Sequence, residues 1–178
     1  WIAPADHPCG WLSLDKNDND PRQFLRYLVA AIKRVCPGIH LKTESLLAYD
    51  HLPPETEVAS FILNDLGQLS ESVTLVLDDF HCITRPFVND LSAALLTHPT
   101  RSLRLVLLTR KDPSLPIATL RAIGQMTEIR MSDLLFTTTE VATFINWTLD
   151  VAVDVDTAAL LEMKTEGWAV GLRLVGLY

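Results

Sequence analysis

Apolar residues along most of the chain follow two patterns, short continuous runs and longer stretches with helical spacing. The runs Val73–Leu77 and Leu103–Leu108 are apolar without alternation, which is typical of strands covered on both faces of a parallel sheet. Gly10–Leu14 predicts another strand, which leads into a polar loop, and Thr127–Met131 predicts a weaker one. These runs predict a sheet that is buried between layers of helices.

The stretches between these runs predict helices, and beyond Ser132 the pattern is helical only. Strands that alternate with helices indicate an α/β fold with right-handed crossovers. We therefore predict an α/β domain over residues 1–131 and a small helical segment over 132–178. The predicted helices cover residues 22–35, 55–69, 86–98, 118–123, 139–149, 156–164 and 167–178, with Asp20 and Asp156 as N-caps.

The composition limits the partners of the chain. Its 178 residues are 48% hydrophobic, and 15 basic against 22 acidic residues give a net charge of −7, which disfavours nucleic-acid binding. The apolar runs are too short to span a bilayer, and the start carries no signal-peptide pattern. The cysteines Cys9, Cys36 and Cys82 are far apart, as in reduced cytosolic proteins. We therefore expect a cytoplasmic protein. Because the chain begins at Trp1 and not at a methionine, we also expect it to be a piece of a longer protein.

Two adjacent acids, Asp78 and Asp79, follow the run Val73–Leu77. Ligands of open α/β sheets bind beyond the carboxyl ends of the strands. One acid at that place could hold Mg²⁺, and its neighbour could polarise an attacking water in a nucleotide site. Alternatively, the pair only ends a strand and begins a turn, where aspartate is common.

Arg110 follows the second buried run in a similar way. If the two strands are parallel neighbours, Arg110 emerges at the same edge of the sheet as Asp78. A guanidinium there could bind a γ-phosphate or stabilise charge during its transfer. Alternatively, Arg110 pairs with a nearby acid such as Asp79.

Other sites have weaker support. Gly167, Trp168 and Gly171 suggest close packing around a helix, for which the default role of Trp168 is in a core. The histidines lack HxxxH spacing, and neither a GxSxG elbow nor a GxxxxGK[ST] phosphate loop occurs. An acid–base hydrolase that uses Asp78, Asp79 and His81 would need a pocket converging on these three groups.

Six stretches occur together in a distinctive order: GWLSLD at 10–15 with Asp18 and Asn19 after it, RQFLRYLVAA at 22–31, TLVLDDFH at 74–81, LVLLTRKDPSLPIATL at 105–120, SDLLF at 132–136 and TEGWAVGLRL at 165–174. Through them the chain resembles the MalT-like, LuxR-type transcriptional regulators, which are signal-responsive bacterial ATPases of the STAND class. The resemblance covers nearly the whole chain.

The resemblance implies a P-loop ATPase domain with a helical lid, followed by a sensor and a C-terminal helix-turn-helix that binds DNA. ATP and an inducer drive self-association of such proteins, and ADP holds the resting state. By motif, Asp78 corresponds to the Walker B ligand of Mg²⁺ and Asp79 to the water-polarising acid. Arg110 corresponds to the sensor arginine, and Gly167 with Trp168 to the lid that covers the nucleotide.

The chain also departs from this family. The resemblance puts the first strand, which lies inside the sheet, and its Walker A loop upstream of Trp1. We therefore expect a partial P-loop-type sheet that neither binds ATP tightly nor hydrolyses it, with a gap or rearrangement near 127–131. An uncovered strand edge can also recruit another copy of the chain. The competing hypothesis is a non-catalytic α/β protein-interaction module that never used a nucleotide.

Overall fold

The computed structural model describes residues 8–98 and 100–175. The chain divides into two compact units, Trp1–Gln125 and Met126–Tyr178, each with its own buried apolar cluster. This division falls slightly before the boundary predicted at 131. In the described part of the chain, no helix has the length and apolar character that crossing a membrane requires.

The first unit is an α/β structure built on a parallel sheet. Its three strands pair in the order β1-β2-β3, so that β2 is central. The predicted parallel sheet flanked by helices is therefore confirmed. In chain order the elements are β1 (Cys9–Ser13), α1 (Pro21–Val35), α2 (Glu55–Leu66), β2 (Val73–Asp78), α3 (Pro86–Thr97), β3 (Leu103–Leu107) and α4 (Ile117–Ala122).

The core of this unit forms around β2, whose residues Val73, Leu75, Val76 and Leu77 are at most 2% exposed. Apolar residues of α1, α2 and α3 join the same cluster and cover the sheet. α1 begins as predicted, because the Asp20 carboxylate accepts a hydrogen bond of 2.8 Å from the Gln23 N–H. Such a cap stabilises a helix by about 1 kcal/mol.

The strand predicted at Thr127–Met131 is wrong. Residues 125–130 have no regular secondary structure, and a 3₁₀ turn, Met131–Asp133, follows them. Ile129 is 68% exposed. A strand needs a neighbour that satisfies its backbone groups, and among the described residues no strand pairs with these positions. An irregular segment near 127–131 was expected for this reason.

The second unit contains α5 (Thr138–Leu149), α6 (Val155–Thr165) and α7 (Ala169–Val175). Val141, Ile145, Ala158 and Leu172 form its buried cluster. All three predicted helices of this unit are therefore present. α5 and α6 begin slightly before their predicted starts, and α7 begins after its predicted start. Residues 176–178 of the predicted last helix lie outside the described residues.

The starts shift because of local capping. Thr137 caps α5, so this helix begins at Thr138 and not at the predicted Thr139. The Thr137 N–H donates to the Glu140 carboxylate at 2.9 Å, in a reciprocal capping box. Asp154, not Asp156, caps α6 by accepting from the Thr157 N–H at 2.7 Å, because Asp154 has extended backbone and Asp156 already lies inside the helix. These bonds lower the pKa of Glu140, chiefly through the Thr137 N–H, and that of Asp154, chiefly through the Thr157 N–H.

Candidate functional site

Asp78 is the last residue of the central strand. It is in register with Ser13 of β1, and its carbonyl oxygen accepts a hydrogen bond of 3.0 Å from the Leu14 N–H. Its side chain is partly buried, and Oδ1 accepts from the Asp79 N–H at 2.9 Å. One carboxylate oxygen thus holds the start of the turn, and Oδ2 accepts no hydrogen bond from the described residues.

Asp79 has a left-handed backbone, with φ 53° and ψ 35°. This conformation costs an ordinary L-residue roughly 1–2 kcal/mol, although aspartate tolerates it better than most. The surrounding structure holds it: the Phe80 N–H donates to the Leu108 carbonyl at 3.0 Å, and the Cys82 N–H to the Asp79 carbonyl at 2.9 Å. The buried Phe80 ring anchors the turn. Strain that is maintained in this way is found most often at functional sites.

The partner of Asp79 is His81. Nδ1 of His81 lies 3.6 Å from Oδ1 of Asp79, a distance suited to an ion pair when the imidazole is protonated. Nδ1 is buried and makes no hydrogen bond within the described residues. In the same part of the chain no ion pair joins Asp79 to Arg110, so the alternative pairing considered for Arg110 is not observed.

Arg110 lies at the same edge of the sheet as Asp78. β2 and β3 are parallel neighbours, with Leu77 in register with Leu107, and the Leu108 N–H extends the ladder to the Leu77 carbonyl at 2.9 Å. Arg110 follows directly in an exposed turn. The expectation that parallel pairing brings these two sequence positions to one edge is confirmed.

Asn19 joins this edge from a third direction, and its sequence context predicts no role for it beyond its place in the family resemblance. It ends a 3₁₀ helix, Lys16–Asn19, directly after β1. Its side-chain amide bonds to the segment that follows the two acids, from Cys82 to Arg85. A polar run after a strand at the same edge was the available signal, but it reads equally well as a solvated loop.

The nearest cavity, of about 240 Å³, lies beside the acids. Phe80, His81 and Asn89 line it together with residues 111–114, whereas Asp78, Asp79 and Arg110 do not. The hydrolase alternative required a pocket that converges on Asp78, Asp79 and His81, and this cavity does not meet that requirement.

A larger cavity of about 460 Å³ lies at the opposite edge of the sheet, next to Pro8, which precedes β1. Cys36 and Glu71 line it. Burial, and secondarily the charge of Glu71, raises the pKa of the Cys36 thiol. This thiol is therefore a poor nucleophile near neutral pH, because the thiolate is the reactive form.

The glycine motif of the second unit has a packing role within that unit. Gly167 has φ +72°, and a Cβ there would lie 2.7 Å from the Phe136 carbonyl oxygen, so that only glycine fits. The Phe136 N–H in turn donates to the Gly167 carbonyl at 2.8 Å. A Cβ at Gly171 would lie 3.1 Å from Cβ of Thr165. Trp168 is 48% exposed, so the default assignment of this ring to a core is wrong.

Asp78 and Asp79 suit a metal site in which phosphates and water supply the other ligands better than a site made of protein ligands alone. In the described residues no group of three or more His, Cys, Asp or Glu side chains could hold a metal ion. Magnesium in nucleotide sites takes only one or two carboxylates, and phosphates and water complete its shell. Asp78, with its unbonded Oδ2 and with Asp79 beside it, fits that smaller share.

Comparison with known proteins identifies similar sequences among bacterial regulators. The chain is 33% identical over 177 residues to the HTH-type transcriptional regulator MalT of Yersinia enterocolitica, 32% to that of Serratia proteamaculans and 30% to that of Klebsiella pneumoniae. Each match covers 99% of this chain and 20% of the relative, so the chain spans a fifth of the length of these relatives. No protein-family model matches the chain. The predicted resemblance to MalT-like regulators is confirmed.

Proposed function

We propose that this MalT-like chain is the Walker B and sensor half of the ATP-binding switch of a transcriptional regulator. The observation that carries the proposal is that Asp78 and Asp79 end one strand and Arg110 follows the adjacent parallel strand, so that all three lie at the same carboxyl edge of the sheet. Ligands of open α/β sheets bind at that edge. Acids and a guanidinium are the groups that a metal-bound triphosphate requires.

Asp78 and Asp79 have different roles in this proposal. Asp78 holds Mg²⁺ through Oδ2, since Oδ1 is engaged by the Asp79 N–H. When bound, the ion neutralises the charge of the β- and γ-phosphates. Asp79 orients and polarises the attacking water, and its left-handed backbone fixes the direction in which its side chain leaves the main chain. The chemistry is then mainly positioning and charge stabilisation.

Arg110 contributes the positive charge in this proposal. Its guanidinium is exposed and makes no ion pair with Asp79 in the described residues, so binding a γ-phosphate does not require it to leave that acid. A planar guanidinium binds phosphate oxygens in bidentate fashion.

Phosphate binding depends on groups that residues 1–178 do not contain. No GxxxxGK[ST] loop occurs, and that loop supplies the backbone amides and the lysine that cradle phosphates. The chain alone therefore binds ATP or ADP weakly and is inactive. In the full-length protein, ATP and an inducer drive self-association, and a helix-turn-helix binds DNA; the name of the relatives, HTH-type regulators, supports the latter.

The proposal is tested with the full-length natural protein by isothermal titration calorimetry of ATP with Mg²⁺. Asp78→Asn is expected to weaken Mg²⁺-dependent binding about tenfold, or about 1.4 kcal/mol. Asp90→Asn, at an exposed position of α3, makes the same change of charge and should leave the affinity unchanged. If the natural protein binds no ATP, the non-catalytic interaction module is the better hypothesis.

A second titration tests the inactivity of the chain alone. Residues 1–178 should bind ATP at least a hundredfold more weakly than the natural protein does, because the phosphate loop accounts for most of the contacts. Nanomolar binding by residues 1–178 would contradict this part of the proposal.

A further inference from the structure

We propose that Asn19 is a positioning residue for Asp79, which it holds in place by clamping the chain that leaves the turn after β2. The inference rests on the proposed function, because it assigns Asn19 to the same reaction. Asn19 touches neither acid. It acts on the backbone between Asp79 and α3.

The clamp consists of hydrogen bonds from one side-chain amide. Oδ1 of Asn19 accepts from the N–H groups of Thr84 at 2.7 Å and Arg85 at 2.8 Å, and lies 3.3 Å from the Thr84 hydroxyl. Nδ2 donates to the Cys82 carbonyl at 2.9 Å and to the Lys16 carbonyl at 3.1 Å. The amide therefore pairs with the backbone of residues 82–85 as a neighbouring strand would.

The clamped segment has few other partners. Arg85 precedes α3, and no side chain of the N-cap residue itself bonds to the first turn of that helix. The N–H groups of Thr84 and Arg85 point instead at Asn19. Without this amide the segment would exchange a fixed partner for water, because backbone donors need a partner in any case.

The Asp79 turn is held next to Asp79 by the sheet and further along the chain by Asn19. The sheet holds it through the Leu14 N–H to the Asp78 carbonyl, before Asp79, and through the Phe80 N–H to the Leu108 carbonyl, after it. Asn19 holds the chain that leaves the turn, through Cys82 and the residues that follow. A left-handed aspartate persists when its surroundings over-determine it. Loss of the clamp frees the chain that leaves the turn, so that the sheet, the bond from the Cys82 N–H to the Asp79 carbonyl and the buried Phe80 ring alone maintain the backbone of Asp79.

The clamp itself rests on a rigid base. The 3₁₀ helix that carries Asn19 has a reciprocal capping box, in which the Asp15 carboxylate accepts from the Asn17 N–H at 2.6 Å and the Asp18 carboxylate from the Asp15 N–H at 2.7 Å. Asp18 is buried at 3% exposure. Asn19 therefore transmits the position of β1 to the turn after β2.

An amide is needed because it both donates and accepts at this place. Asn19→Asp keeps the size and accepts from Thr84 and Arg85, but it sets an acceptor against the Cys82 carbonyl. Asn64→Asp is the matched control. It makes the same change of charge at an exposed residue of α2 whose side chain makes no hydrogen bond within the described residues.

The test measures ATP turnover and ATP affinity of the full-length natural protein. Asn19→Asp should lower kcat about tenfold, with a Kd for ATP within about twofold of the natural value, because Asp78 is unaffected. Amide hydrogen exchange of residues 79–85, read by mass spectrometry, should become about tenfold faster. Asn64→Asp should change none of the three quantities. If Asn19→Asp does not fold, Asn19→Ala, which adds no charge, carries the same test.

The outcomes separate this inference from the proposed function. Turnover that is equal in the Asn19 and Asn64 variants overturns the inference, as does a parallel loss of affinity and turnover, which would indicate a general structural role. A natural protein that neither binds nor hydrolyses ATP overturns the proposed function and the catalytic role of Asn19. Hydrogen exchange then still decides whether Asn19 holds the turn.

Discussion

β2 and β3 have almost the same apolar pattern and very different surroundings. Leu75 and Leu105, Val76 and Val106, and Leu77 and Leu107 are register partners in the parallel ladder. The β2 members are at most 2% exposed, whereas the β3 members are only partly buried. The reason is position: β2 pairs on both sides, and β3 pairs on one side among the described residues. An apolar run thus predicts a strand but not its place in the sheet.

The backbone amides of β2 and β3 differ for the same reason, because β2 has a neighbouring strand on both sides and β3 has one on a single side among the described residues. The Leu108 N–H donates to the Leu77 carbonyl, and the Leu108 carbonyl accepts from the Phe80 N–H. Along a strand, the backbone N–H and C=O groups of successive residues point alternately to one side and to the other. The N–H of Val106 therefore faces β2, whereas the N–H of Leu105 faces away from it. In β2 every backbone amide faces a neighbouring strand, and the Val76 N–H faces β1.

Proline substitutions should show the largest difference in stability between β2 and β3. Val76→Pro removes a ladder bond inside the sheet and is expected to abolish cooperative unfolding of the first unit. Leu105→Pro removes an N–H that faces away from β2, so the unit should still fold. Circular dichroism during urea titration measures both, and Val76→Ala with Leu105→Ala corrects for the lost side chains. Equal effects of the two prolines would show that β3 is not an edge strand in solution.

Alanine substitutions at one register pair should give the next largest difference. Leu75→Ala is expected to lower the free energy of unfolding by about 2–5 kcal/mol, as deletions in a close-packed core do. Leu105→Ala should cost about 1–2 kcal/mol, because its side chain is already partly in water. Urea denaturation at constant m-value gives both numbers. A cost at Leu105 that matches Leu75 would mean that another surface covers β3.

The turn after β2 gives a smaller, local difference. Asp79→Gly should leave the folded chain about 1 kcal/mol more stable than Asp79→Ala, since glycine adopts φ 53° without steric cost. The corresponding pair Thr109→Gly and Thr109→Ala, after β3, should favour alanine or show no difference, because Thr109 has no left-handed backbone. Thermal unfolding of the four variants decides between these outcomes.

The smallest effect on stability is expected at Arg104, an exposed residue of β3. Arg104→Thr copies Thr74, its partner in β2, and should change the free energy of unfolding by less than about 0.5 kcal/mol. Its effect should appear in association, since a charged residue on an edge strand discourages pairing with another chain. Analytical ultracentrifugation should show more self-association of Arg104→Thr than of the unsubstituted chain. No increase would mean that β3 does not mediate contacts between copies.

Local sequence signals predicted the features that depend on neighbours in the chain. The apolar runs predicted β2 and β3, and Asp20, which Pro21 follows, predicted the start of α1. The pair Asp78 and Asp79 was located correctly at the end of a strand. These signals suffice because a cap and its helix bond residues close in sequence, and because an apolar run of strand length favours a strand wherever that strand lies in the sheet.

Features that depend on distant partners were missed or misplaced. Thr127–Met131 has strand residues but no neighbour to pair with, so it remains irregular. The clamp from Asn19 to the segment after the acids joins positions more than sixty residues apart. The left-handed backbone of Asp79 depends on bonds from its flanking residues to Leu14 and Leu108. The residue pattern determined which elements form; the pairing of strands distant in sequence determined which strand is central and how the two acids are held, since those contacts exist only after the sheet has assembled.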